Sequence, residues 1–520
     1  MKKIKYIGVL MLGLLGLNVS CTDFLEEEVI DQIGVDYLYT TPEGLEVGVN
    51  GLYNLQRRNN APGFEGEALR LNAFFMVGTD LGLTRTWHRP YGSGHTPAGF
   101  GSSKWTLPYQ IIDRASALIT NARNIEMNED EKNKLVAQAR VIRGELYLDL
   151  LRMYDNILLD TVPTTPENVF DSVVYEPADP DAVMALINED LDFAIEHLDW
   201  DVPHGRYGQG VARHIRGKAA MWVGDYEEAA AQFDAIINDG THGLVGINEV
   251  FGQDLTHKEA LFVYTRELEL GGNSDDLAGG RGTWIGSLFN NRLYEIPGGE
   301  IISTVEGGGQ ALGWSFPNDY LRSLYDEEND LRFSTYYYPL ELFVNNPDSP
   351  NFGEPLPESA YPDNYRQYHW SLKKWHDTEK PVNTNDSYKD IMYYRYAETL
   401  LLGAEAHWQL SGQNSGNATA LNYINQVRDR AGLGDEPFTS FTLDNYLEES
   451  ARELAFENNR WFLLKRLGVL VERQNEHYRY GGNEAGEVPE PMAPHMVRLP
   501  IPQSSIDLMG TFPQNPGYVN

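Results

Sequence analysis

The sequence predicts a mainly α-helical protein: a tetratricopeptide-like scaffold of helix pairs with long irregular loops and a few short strands. Three observations predict it. Apolar residues recur at helical spacing over much of the 520 residues. One segment, 217–237, has the residue pattern of a tetratricopeptide helix pair. Two glycine-rich stretches and a third loop-rich one break the helical period and hold many aromatic rings. With 42% hydrophobic and 22% charged residues, the chain is globular in composition, neither disordered nor collagen-like. At roughly 150 residues per domain, its length allows about three domains.

Residues 1–20 stand apart from the scaffold. Lys2, Lys3 and Lys5 form a basic start, and 6–19 is apolar apart from Asn18. That run is too short to span a bilayer as a helix and reads as the apolar part of a signal peptide. Cys21 is the one cysteine, and it follows Leu17-Asn18-Val19-Ser20. This stretch resembles a bacterial lipobox, with Asn18 where leucine is usual. The resemblance implies cleavage before Cys21 and lipidation of its thiol, and several acyl chains give stable anchoring. The acidic run Glu26-Glu27-Glu28 resembles the surface-export signal of Bacteroidetes lipoproteins. A single cysteine leaves no intramolecular disulfide and no zinc site built from several thiolates.

The helices follow in order. One is predicted over about 109–125. A second, over 129–154, places Leu135, Ala139, Ile142, Leu146 and Leu150 along one face. A third, over 179–198, has an acidic first turn that suits the helix dipole. In 217–237, Gly217, Gly224, Tyr226, Ala229 and Phe233 fall where a small residue, a turn and two packing residues are needed. A similar pair recurs at 393–410 and 418–430, joined by the turn 411–417. One pair cannot bury its own apolar face, so several should stack. The three irregular stretches are 78–108, 271–316 and 339–388. They hold Trp87, Tyr91, Phe100 and Trp105, then Trp284, Phe289, Tyr294, Trp314 and Phe316, then Trp370 and Trp375. Loops of this length are functional or disordered, and their aromatics argue against disorder.

Charge narrows the function. Asp and Glu number 76 against 41 Lys and Arg, a formal charge of −35. A nucleic-acid partner needs a basic face and is excluded on this balance. No G-x-S-x-G elbow, phosphate-binding loop, H-E-x-x-H or dinucleotide glycine fingerprint occurs. His88 and His95 share a loop without a carboxylate partner and read as solvated groups rather than metal ligands. The acidic run 326–330 lacks the alternation of a calcium loop and reads as a solvated helix end. A glycosidase carboxylate pair is left open, because spacing in sequence does not set spacing in space. Arg395/Glu398, Arg452/Glu453 and Glu457/Arg460 read as ion pairs and caps at helix ends.

The carboxy-terminal half carries a family resemblance. Tyr394 to Ala406 (YRYAETLLLGAEA), Asn422 to Leu433 (NYINQVRDRAGL), Arg452 to Phe462 (RELAFENNRWF), Pro500-Ile501-Pro502 and Gln514 to Tyr518 (QNPGY) resemble consecutive motifs of the SusD/RagB family. The blocks 140–154 and 210–226 resemble two early helical blocks of that family. Ser450 and Leu463 depart from the pattern, both within a structural helix. The resemblance implies one domain over 21–520. Its scaffold would span about 40–270 and 390–475, with loop-rich insertions at about 78–108 and 271–390. It implies binding of oligo- or polysaccharide at the outer face of the outer membrane and delivery to a SusC-like TonB-dependent transporter, without catalysis or cofactor. The alternative within the family is peptide or protein capture, as in the RagB branch.

Rings make this chemistry plausible from the residues alone. Aromatics are 12% of the chain, and a flat indole or phenol covers the C–H face of a sugar with few rotamers to freeze. By position, the resemblance places Asp80, Arg85, Trp87 and Trp105 in one part of the glycan site. Trp284, Tyr294 and Trp314 make the other.

Overall fold

The computed structural model describes residues 35–61, 67–85, 91–92, 94–267, 282–480 and 491–519. The leader 1–20, Cys21, Trp87 and His88 lie outside the described residues.

The chain begins with helices α1 (Val35–Thr40), α2 (Pro42–Asn60) and α3 (Glu67–Val77), then strand β1 (Gly82–Thr84). The long helices α4 (Ser103–Asn121), α5 (Glu129–Met153) and α6 (Pro180–His197) follow. Their starts are encoded locally. Asn128 accepts N–H bonds from Asp130 and Glu131, and Asp179 accepts one from Asp181. These caps satisfy donors that no helical carbonyl can reach. α4 starts earlier than its apolar period predicts. Pro108 reads as a helix start, but the turn before it is held by Trp105, buried against Tyr109, Tyr154 and Phe512.

Helices α7 (Gln209–Val223) and α8 (Tyr226–Asp239) form the tetratricopeptide-like pair. Gly224 ends α7 in the left-handed conformation at φ 78°, and Asp225 caps α8. A Cβ on Gly217 would come within 2.6 Å of the Phe233 ring, so only glycine allows this approach. Gly217→Ala is expected to lower stability by about 1–3 kcal/mol through overpacking. A denaturation midpoint equal to that of the parent would contradict it.

The helices stack in sequence: α4 on α5, α5 on α6, α6 on α7, α7 on α8. An excursion then interrupts the stack. It contains β2 (Ala260–Tyr264), α9 (Ile285–Leu288), β3 (Ser315–Pro317), α10 (Asp319–Ser323), α11 (Leu331–Tyr336) and β4 (Ile391–Arg395). Next come α12 (Tyr396–Leu410) and α13 (Ala418–Arg428), and α12 packs on both α13 and α8. The two predicted pairs are therefore neighbours in space, and 240–390 is looped out between them. Antiparallel β2 and β4 pair Val263 with Met392 and Tyr264 with Ile391, closing the base of the excursion. Helices α14 (Leu443–Leu454), α15 (Arg460–Arg466) and α16 (Leu470–His477), strand β5 (Arg479–Tyr480) and α17 (Gln503–Met509) complete the described chain. Among the described residues no helix is long and apolar enough to cross a membrane.

Most loop aromatics are core residues. Tyr91, Phe100, Phe289, Phe316, Trp370 and Trp375 are buried. Trp370 stacks on Tyr337 at 4.0 Å between ring centroids. A long stretch with little regular structure still needs an apolar centre, and these rings supply it. His95 is also buried, among Phe74, Tyr91, Phe100 and Tyr518, rather than solvated. In the acidic run, Asp326 accepts the N–H groups of Glu328 and Asn329, while Asp330 is buried against Arg332.

Arg395, Arg452, Glu453 and Glu457 join one buried network, with partners other than those predicted. Arg395 binds Glu259 (2.9 Å), Glu453 (2.7 Å) and Glu457 (2.6 Å), not Glu398. Glu398 instead takes Lys218 and His214 from α7. Arg452 binds Glu449, which also accepts Arg332 and Arg428. Burial alone would raise the Glu449 pKa, but Arg332, Arg452 and Arg428 bring it down to about 2. The network welds the excursion to α14.

Candidate functional site

A three-stranded sheet positions the site. Its order is β3-β1-β5, with β1 antiparallel to β3 and parallel to β5. The register sets Thr84 opposite Ser315. One step further, the Arg85 N–H donates to the Trp314 carbonyl at 3.1 Å. Directly opposed residues in antiparallel strands project to one face, so Arg85 and Trp314 emerge together where this ribbon ends.

The segment leading into β3 is held from behind by α9. The Leu312 N–H donates to the Ser287 carbonyl, and the Trp314 N–H donates to the Leu288 carbonyl at 3.0 Å. Gly313 sits at φ +58° with its Cα against Arg366, where a Cβ would come within 2.9 Å of Arg366 Cγ. Arg366 Nε donates to the Leu312 carbonyl at 3.0 Å. The Arg292 N–H donates to the Arg366 carbonyl, and Arg292 Nε donates to the Tyr294 hydroxyl at 2.9 Å. Four chain segments thus bring Arg85, Arg292, Tyr294, Trp314 and Arg366 onto one patch, and both rings are half-buried.

The patch is cationic. Glu295 pairs with Arg292 at 2.8 Å. The Arg366 pKa is lowered, first by burial and then by the like charges of Arg292 and Arg85, with Glu295 opposing. That mutual repulsion places the three guanidinium groups in one field.

Of the other predicted site residues, Asp80 and Trp105 are buried, and Trp284 is engaged by a separate partner. Trp284 flanks the start of α9, and its indole N–H donates to Asp386 at 2.7 Å. Its ring is half-buried, but its donor is already engaged. Asp80 is a correction. It is fully buried, and Arg460 Nε (2.9 Å), Arg460 Nη2 (2.6 Å) and Arg473 Nε (2.8 Å) hold both carboxylate oxygens. No surface ligand reaches it. Trp105 is the second correction, being 3% exposed within the α4 core. Its edge meets a separate groove of ≈ 400 Å³, lined also by Tyr109, Leu158, Tyr175 and Leu508. Trp87 lies outside the described residues.

Arg292 and Arg366 were missed by sequence reasoning. Sugar stacking singles out tryptophan and tyrosine, and nothing in that chemistry marks these two cations beside them. Arg292 stands two residues before Tyr294, the one local signal available. Arg366 had none, because its place beside Gly313 depends on the fold of 311–314.

Comparison with known proteins agrees with the architecture. The family model described as SusD family matches residues 345–518. The SusD-like protein P2 of Formosa agariphila is 25% identical over 557 aligned positions, covering 100% of both chains. The SusD-like protein P25 of the same organism is 23% identical and covers 94% of each. Among solved structures, a laminarin binding SusD-like protein superposes with a TM-score of 0.70 at 23% identity, covering 92% of this chain and 100% of that one. Surface glycan-binding protein A from Bacteroides thetaiotaomicron gives 0.69 at 19% identity, covering 92% and 100%. Motif order, the helix stack with its looped-out excursion, and full-length relatives converge on one likeness: the fold is that of SusD-like proteins, and residues 345–518 match the SusD family model.

Proposed function

We propose that this protein binds an oligo- or polysaccharide at the cell surface and hands it to a SusC-like TonB-dependent transporter, without catalysing a reaction. The observation that carries the reading is the patch at the end of β1 and β3. There, the half-buried rings of Trp314 and Tyr294 stand beside guanidinium donors. Rings of this kind cover sugar faces, and the donors pair with hydroxyls. The relatives named for laminarin or surface-glycan binding support the ligand class. Among the described residues of the patch the carboxylate is Glu295, already paired with Arg292. Glycoside hydrolysis uses two carboxyl groups flanking the bond, so the arrangement suits capture rather than cleavage. In this reading Cys21 carries the lipid anchor that holds the protein on the outer membrane, facing outward. Tethering beside the transporter raises the local concentration of captured glycan.

Isothermal titration against a polysaccharide panel tests the site. For the glycan that binds, Trp314→Ala and Tyr294→Ala are each expected to weaken affinity by roughly tenfold or more, on the scale of one lost aromatic contact. Their melting temperatures should stay near that of the parent. Parent-like affinity in both variants would overturn the placement of the site.

A further inference from the structure

We infer that Arg85, Arg292 and Arg366 form an anion subsite beside Trp314 and Tyr294, so that the captured glycan carries oxyanion substituents, either uronate carboxylates or sulfate esters. This rests on the glycan-binding reading of the same patch and adds the chemical class of the ligand.

The charge arithmetic makes the patch unusual. The chain has 76 acidic and 41 basic residues, so most guanidinium groups are expected to find carboxylates. Neighbouring arginines do. Arg460 and Arg473 are both taken by Asp80, and Arg322 by Glu327. The patch departs from this. Glu295 balances Arg292 alone. Arg366 holds the Leu312 carbonyl through Nε, and among the described residues its Nη atoms have no hydrogen-bond partner. Arg85 is bonded through its backbone N–H, and among the described residues its buried Nε has no partner.

Two like charges are therefore held near each other with their donors unspent. Nothing in the fold requires this, since β1 and β3 are joined by backbone bonds that any residue at 85 could make. An arginine fork suits a carboxylate or sulfate, offering two parallel N–H donors to two oxygens. An oxyanion between the forks would relieve the repulsion among them while the sugar ring lies on Trp314 or Tyr294. Against an overall charge of −35, a local cationic patch is also what an acidic glycan would need to approach this surface.

The test is titration of the full mature chain with polygalacturonate, a sulfated galactan, and their neutral counterparts: methyl-esterified pectin and the desulfated galactan. The variants are Arg85→Gln, Arg366→Gln, Arg366→Lys and Trp314→Ala. Support is binding of a carboxylated or a sulfated member that weakens as salt rises. Affinity should also fall by roughly tenfold or more in Arg85→Gln and Arg366→Gln. Arg366→Lys, which keeps the charge and loses the fork, should fall between the two. Which acidic member binds identifies the oxyanion. Among the described residues Arg85 makes no side-chain hydrogen bond, so its variant is expected to fold even if Arg366→Gln does not. Binding of the neutral members alone, with both glutamine variants equal to the parent, overturns the subsite and leaves the glycan-binding reading standing. Acidic binding that survives Trp314→Ala unchanged is generic attraction of polyanions and overturns it as a sugar subsite. Failure of every member overturns both.

Discussion

Replacing Glu453 with alanine is expected to lower the unfolding free energy by about 3–5 kcal/mol, the loss that follows when one partner leaves a buried ionic network. Glu453 is fully buried on α14. It accepts from Arg395 at 2.7 Å, Arg430 at 2.5 Å and Arg332 at 3.1 Å, and Tyr336 also donates to it. Burial would raise its pKa, but Arg430, Arg395 and Arg332 hold it well below the usual carboxylate range. Alanine would leave those three buried cations sharing Glu259, Glu449, Glu457 and Asp330. These arginines come from α11 and β4 of the excursion and from the segment after α13, so the loss is felt as separation of the excursion from the stack. Denaturant unfolding reads this as a lower midpoint. A fall below about 1 kcal/mol, the scale of a surface pair, would show that the network contributes little.

Asp80→Asn has the second large effect, about 3 kcal/mol or more by the same reasoning. The amide keeps the shape but removes the charge that Arg460 and Arg473 share. Burial would raise the Asp80 pKa; Arg460 and Arg473 lower it below 3.8. A depressed folded-state pKa makes its stabilisation present above pH 3.8 and lost as pH falls through the folded value. The stability difference between parent and variant should therefore shrink on acidification. This variant also separates a structural role from a ligand role. At temperatures where it stays folded, Asp80→Asn should bind glycan within about twofold of the parent, well under the tenfold that one charged hydrogen bond supplies. A loss beyond tenfold with an unchanged melting temperature would return Asp80 to the ligand site.

The two corrections at the site share one cause. Asp80 and Trp105 lie in the stretch that carries Arg85, and residue type alone did not distinguish them. A carboxylate and an indole serve a sugar or a core equally well. What separated them was distant chain: α15 and α16 placed Arg460 and Arg473 on Asp80, and Tyr154 and Phe512 closed over Trp105. The charged motifs behaved alike. Arg395, Glu398, Arg452 and Glu457 were legible as structural, yet neither Arg395 nor Arg452 took the partner nearest in sequence.

By itself the sequence determined what is local. Apolar period, caps such as Asn128 and Asp179, and the Gly217–Phe233 spacing act within a few turns of chain, so the helices and their pairing could be read without coordinates. Tertiary structure alone decided what depends on contacts between remote segments. It packed α12 on α8, buried most of the loop aromatics, and brought Arg85, Arg292 and Arg366 around 311–314. The physical reason is range: a helical period is set by hydrogen bonds four residues apart, whereas charge and ring contacts depend on where the backbone returns.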